Sequence, residues 1–107
     1  MLFFVKGGPK GGPPPLPPEQ LLEHVIREWE TIINFRQQGK VSESYGYVDN
    51  PGGFIIFNVN SREELDMLIS QLPMHPFSEF EITLLITAEQ ALQRAKQGQL
   101  SGPAPNE

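Results

Sequence analysis

Cysteine is absent from these 107 residues, and its absence removes disulfides, thiolate metal sites and thiol nucleophiles together. Clusters of lysine and arginine are missing too. With 13 acidic and 8 basic residues the formal charge is −5, spread without runs of one sign, so a phosphate backbone is not an indicated partner and no nucleic-acid binding is expected. Long apolar runs are also lacking. The opening Met1-Leu2-Phe3-Phe4-Val5 stops at Lys6, too short for a signal-peptide core or a membrane span. The expectation is a soluble, cytoplasmic protein with no membrane partner. A hydrophobic content of 38% in this length suits one domain with a single core, read here as residues 1–97 followed by a loose tail over 98–107.

What the chain does have is punctuation: 10 glycines and 11 prolines. Residues 1–6 read as a short strand, and GGPKGGPPPLPP over 7–18 excludes regular structure until Pro18, a suitable first-turn helix residue. From Glu19 to Gln38, Leu21, Leu22, Val25, Ile26, Trp29, Ile32 and Ile33 keep helical spacing, and Gly39 supplies a stop. Residues 40–48 and 54–59 form a hairpin around the turn DNPGG. Ser61-Arg62-Glu63-Glu64 is a capping box opening a helix striped by Leu65, Leu68, Ile69 and Leu72 and ended by Pro73. A last strand follows over 77–86, then a short C-terminal helix from Thr87 to about Lys96.

The order β-α-β-β-α-β predicts an α+β, ferredoxin-like fold: a four-stranded antiparallel sheet with two helices on one face. The strand FIIF and the first strand are apolar on both sides, so the helix-free face is not written for water. A second copy of the chain is the expected cover, giving a homo-oligomer with a dimer as its simplest form.

The stretch FNVNSREELDMLISQLPMHPFSEFEI (57–82), with its Leu72-Pro73-Met74-His75-Pro76-Phe77 signature, resembles the second half of the muconolactone delta-isomerase family, and the opening MLFFVK is similar as well. The resemblance runs over about residues 1–86. It implies a dimeric α+β barrel, extendable to a decamer, with a cleft between helix and sheet. It also implies chemistry without a cofactor or metal: isomerisation of a small unsaturated lactone or related cyclic acid, in which a proton leaves one ring carbon and returns to another. That reaction needs a base of suitable pKa and stabilisation of the dienolate. A non-catalytic ligand-binding or assembly module of the same barrel, and a cofactor-free oxygenase, are the competing readings.

Glu28 is the candidate base. With about 100° per residue and Leu21 at zero, the apolar arc runs from about 0° to 140°, and Glu28 falls near −20°, at the border beside Leu21 and Ile32. His24 and Phe35 lie on the same side, near −60° and −40°, as a possible orienter and an apolar wall. Desolvation at such a border raises a carboxylate's pKa, which suits a proton shuttle. Aligning FRQQGK with the end of the family's first helix places the family's acidic residue on Glu28. Glu30, on the solvent side near 180°, is its internal control.

Lys6, at the end of the first strand, is a candidate partner for a carboxylate or enolate oxygen. Tyr45 and Tyr47 share a strand face with Glu43 and are candidate hydrogen-bond donors to a ligand. His75, between two prolines and without Asp, Cys or a second His nearby, is poor evidence for a metal. The family carries a lysine a turn before its acidic residue and basic and aromatic residues around the second strand. This chain has Val25 and SESYGYV there, leaving Lys6, Arg27, Arg36 and Lys40 as the cations within sequence reach. PPPLPP (13–18) reads as a stiff rim over the barrel mouth hinged at Gly7, Gly8, Gly11 and Gly12, with a PxxP ligand as the alternative.

Overall fold

The computed structural model describes residues 1–100. In chain order it contains β1 (Leu2–Pro9), α1 (Pro18–Gln37), β2 (Val41–Gly46), β3 (Gly53–Asn58), α2 (Arg62–Ser70), a single 3₁₀ turn (His75–Phe77), β4 (Ser78–Leu85) and α3 (Ala88–Lys96). The strands form one antiparallel sheet in the order β2-β3-β1-β4, which is the ferredoxin-like α+β arrangement. The expected tail lies outside the described residues from 101 onward.

Local chemistry explains the boundaries. Pro18 occupies the first turn of α1, where its missing N–H costs nothing. Gly39, at φ +79°, carries the chain out of the helix in a conformation that side chains disfavour. At α2 the Glu64 amide donates to Ser61 Oγ over 3.1 Å. The Glu64 carboxylate reaches back to the Asn60 amide (2.9 Å), one residue earlier than in a standard capping box. Thr87 and Gln90 close a complete capping box on α3.

Alternation along the strands divides the sheet. Phe3 and Val5 of β1, with Ile55 and Phe57 of β3, face α1 and α2 and are buried with Ile32, Phe35, Leu65 and Leu72. Leu2, Phe4 and Lys6 point the other way, and on that helix-free face the Phe54 ring lies 5.2 Å from Phe4 and 5.3 Å from Tyr45.

Two expectations are corrected. β1 does not stop at residue 6: Gly7, Gly8 and Pro9 pair with Phe80, Glu79 and Ser78 of β4, because a central strand draws hydrogen bonds from its neighbours and tolerates weak strand formers. The inward face of α1 is also rotated from the arc read off the apolar residues. Leu22, Ile26 and Ile33 are 61%, 51% and 40% exposed, whereas Ile32 and Phe35 are buried. The buried face therefore centres near Leu21, Glu28, Ile32 and Phe35, and Glu28 stands within it, not at its edge.

Lys40, just before β2, donates to Glu64 Oε2 over 3.0 Å and ties the sheet to α2. The Asn60 amide and Lys40 hold the Glu64 carboxyl below the usual carboxylate range. A depressed folded-state pKa adds stability that is present at neutral pH and lost as pH falls through it. Glu64→Gln should therefore lower Tm at pH 7, with the difference from wild type shrinking toward pH 3, as read by thermal unfolding followed by circular dichroism.

Candidate functional site

A cavity of about 910 Å³ opens between α1 and the sheet, at the end where β1 leaves for α1 and β2 turns into β3. Its helix wall is Leu21, Val25, Glu28, Trp29 and Ile32; Val5, Ile55 and Phe80 close the sheet side. The loop after β1 contributes Gly12, Pro13 and Pro14, and the hairpin contributes Tyr47, Asn50 and Pro51. Residues of the loop expected to form a rim thus border the cavity, but the hinges expected for it differ. Gly7 and Gly8 belong to β1, leaving Gly11 and Gly12, at φ +67° and +113°, as the positions that need glycine.

Glycines also form the floor. Gly46, Gly53 and Gly7 sit in register across β2, β3 and β1, and all three line the cavity. A Cβ on Gly46 would stand 2.9 Å from Trp29 Cζ2, and one on Gly7 would stand 3.1 Å from Phe80 Cε1. The two aromatic rings therefore rest directly on bare backbone.

Glu28 is the charged side chain of the lining. Its Oε1 accepts a 3.0 Å hydrogen bond from the Met74 amide. Pro73 and the turn after α2 make that amide available. The His75 amide donates to Leu72 and the Phe77 amide to Met74, so the Met74 N–H points out of the local turn. Burial in apolar surroundings raises the Glu28 pKa, and this outweighs the opposing effects of the Met74 amide and the nearby His75.

Of the residues singled out from sequence, the fold brings Glu28 and Tyr47 together at the cavity. It separates the others. Lys6 is on the helix-free face, 3.9 Å from Glu81, because β1 alternates and Val5 takes the inward position. Tyr45 is on that face too, with its hydroxyl 3.4 Å from Glu43. β2 ends at Gly46, so Tyr47 belongs to the hairpin and does not share the face of Glu43 and Tyr45. Phe35 is 4% exposed in the core against Phe57. His24 donates from Nδ1 to the Gln20 carbonyl (2.8 Å) and meets the Phe77 ring edge-on, outside the cavity lining.

His75 is the residue that sequence reasoning set aside. Weighed only as a metal ligand, it instead acts on the Glu28 carboxylate by charge and stacks on Phe80 at 5.9 Å. Its place in the proline turn beside the cavity was the available signal. Among the described residues no cluster of His, Asp or Glu suits a metal ion, and no helix is long and apolar enough to cross a membrane.

The model of the muconolactone delta-isomerase family matches residues 1–99. The chain belongs to that family. A relative within it, the muconolactone delta-isomerase of Cupriavidus pinatubonensis, is 30% identical over 73 residues, covering 68% of this chain and 79% of that protein. The crystal structure of a muconolactone isomerase superposes with a TM-score of 0.72 at 25% identity, over 81% of this chain and 90% of the other. The 5-chloro-2-hydroxyhydroquinone dehydrochlorinase of Burkholderia phenoliruptrix, solved with 2,5-dihydroxybenzoquinone, shares the fold at a TM-score of 0.65 and 13% identity, over 84% of this chain and 98% of that one.

Two outcomes follow for this member of the muconolactone delta-isomerase family. A raised folded-state pKa means that the native protein holds the Glu28 proton more tightly than the unfolded chain does. The stability from this group is full below the usual carboxylate range and lost as pH rises through the raised value. Glu28→Gln, whose amide oxygen can still accept from Met74, should gain in Tm over wild type as pH rises from 4 to 8. Gly46→Ala should displace the single tryptophan, shifting its fluorescence and destabilising the fold by about 1–3 kcal/mol in urea unfolding.

Proposed function

We propose that this protein moves a proton between two carbons of a small unsaturated, lactone-like ring without a cofactor, with Glu28 as the proton-transfer residue. The observation that carries this reading is the position of the Glu28 carboxylate: on the inward face of α1, in an apolar cavity, with Oε1 held by the Met74 amide. Among the described residues no donor reaches Oε2, which leaves that oxygen for the reacting carbon. A raised carboxyl pKa brings the base nearer to the operating pH and eases return of the proton. Tyr47 and Asn50, on the hairpin side of the lining, are the side chains to donate to the oxygen on which dienolate charge develops. Lys6, His24, Phe35 and Tyr45 take no direct part.

The reading extends to assembly. The helix-free face, with the rings of Phe4, Phe54 and Tyr45 in contact across it, is suited to cover by a second copy. The exposed Leu22, Ile26 and Ile33 on α1 offer a separate apolar surface for a larger homo-oligomer.

A second reading is favoured by the cavity's lack of a cationic lining residue among those described: a module that binds a small apolar ligand without turning it over. One experiment decides between them. In D₂O, proton NMR should show solvent deuterium entering the ring positions of candidate butenolides with wild type and with Glu30→Gln. Glu28→Gln should slow that exchange by about 10²-fold or more. Equal exchange in all three proteins removes Glu28 from the mechanism, and binding without exchange in any of them leaves the ligand-binding module.

A further inference from the structure

The charges and the shape of the cavity narrow what it can hold. Glu28 is its charged lining residue, and among the described residues no lysine or arginine of the neighbouring elements lines it. Lys6 faces Glu81 on the far side of the sheet. Arg27 bonds Glu23 at 2.6 Å and Lys40 bonds Glu64 at 3.0 Å. Arg36, in the last turn of α1, and Lys10, in the loop between β1 and α1, are exposed. Among the described residues none of these side chains lines the cavity. A ligand carrying a carboxylate would thus enter an apolar space beside an acidic group with no counter-charge in the wall, and a charge taken from water without a partner is strongly disfavoured. His75 is the remaining titratable group that acts on Glu28, and it does so from outside the lining.

Shape adds a second constraint. The in-register row Gly46-Gly53-Gly7 is a strip of backbone without side chains, and Trp29 and Phe80 rest against its two ends. Pleated backbone without side chains offers a flat, shallow bed, and the rings at its ends are suited to stack against or edge a planar π-system. Tyr47 and Asn50 offer hydroxyl and amide groups at the hairpin end, enough to hold a carbonyl or ring oxygen.

We propose that the cavity selects an uncharged, flat, unsaturated ring, such as a neutral butenolide or cyclic enone, laid on the glycine row between Trp29 and Phe80, and discriminates against counterparts bearing a carboxylate. The proposal rests on the proton-transfer reading of this site and narrows its substrate class. Charge selection is nonetheless measured by binding, and proton transfer by exchange.

The test uses two probes: a butenolide with an acetic acid side chain, and its methyl ester. Binding of each is measured at pH 7.5 by calorimetry and by Trp29 fluorescence, with wild type, Glu28→Gln and His75→Gln, while deuterium exchange is followed in parallel. The expected result is an ester bound at least about tenfold more tightly than the acid by wild type. Glu28→Gln should narrow that ratio to within about threefold by admitting the acid, and His75→Gln should leave the ratio in place. The proposal is overturned if the acid binds as tightly as the ester or more so, or if the ester fails to bind at millimolar concentration. A preference for the acid that His75→Gln abolishes would identify His75 as the anion's partner and overturn it in the same way. An ester that binds preferentially without exchange supports the charge selection and removes the proton-transfer reading. An acid that binds preferentially with Glu28-dependent exchange does the reverse.

Discussion

The hydrogen bond from the Met74 amide to Glu28 Oε1 joins two parts of the chain 46 residues apart: the inward face of α1 and the turn that follows α2. The cavity's chemistry depends on it. A carboxylate on an apolar helix face, left to itself, would turn outward to water, because burying an unpartnered charge costs far more than the packing returns. One main-chain donor keeps it inside, yet does not cancel the desolvation that raises its pKa. The side chain is therefore positioned and kept a weaker acid by its surroundings, the combination that a reversible proton carrier requires.

A second constraint is the sheet's alternation, which sends successive side chains of a strand to opposite faces. Val5, Gly7, Gly53 and Ile55 line the cavity, while the Phe4, Lys6 and Tyr45 side chains fall on the far side, and Phe54, whose ring meets Phe4 and Tyr45, borders both. A one-residue slip would exchange the two sets. The paired glycines in the inward set allow Trp29 and Phe80 to sink onto the backbone, so the sheet is thinnest where the cavity opens. Lys6 and Tyr45 look like site residues when sequence distance alone is considered, and they are removed from it by parity.

Much of this was legible because glycine and proline mark where elements end. The order of elements, both helix caps and the loop over the cavity follow from residues such as Pro18, Gly39, Ser61 and Thr87, whose effects are local. What was not legible depends on neighbours. β1 continues through Gly7, Gly8 and Pro9 because β4 lies beside it. The apolar arc of α1 was averaged over residues that the fold treats differently: Leu22, Ile26 and Ile33 are exposed in the single chain, so an arc centred on all seven apolar residues made Glu28 a border residue. The packed face proves to centre close to it. His75 was invisible for a related reason, since its effect on Glu28 exists only once the turn after α2 is brought against α1.

The two sides of the cavity differ in how their features are held, and this bears on how a family can keep a fold and vary its ligands. Glu28 is positioned by a main-chain amide, and Pro73 helps release that amide from the helix. No substitution at Met74 other than proline removes the donor. The opposite wall comes from the hairpin between Gly46 and Gly53, which contributes the side chains of Tyr47, Asn50 and Pro51. Side-chain changes there alter the polarity presented to the cavity without disturbing the register of β1, β3 and β4 or the bond that holds the carboxylate. The bond that holds the Glu28 carboxylate can therefore remain fixed in the backbone while the hairpin wall is rewritten one side chain at a time.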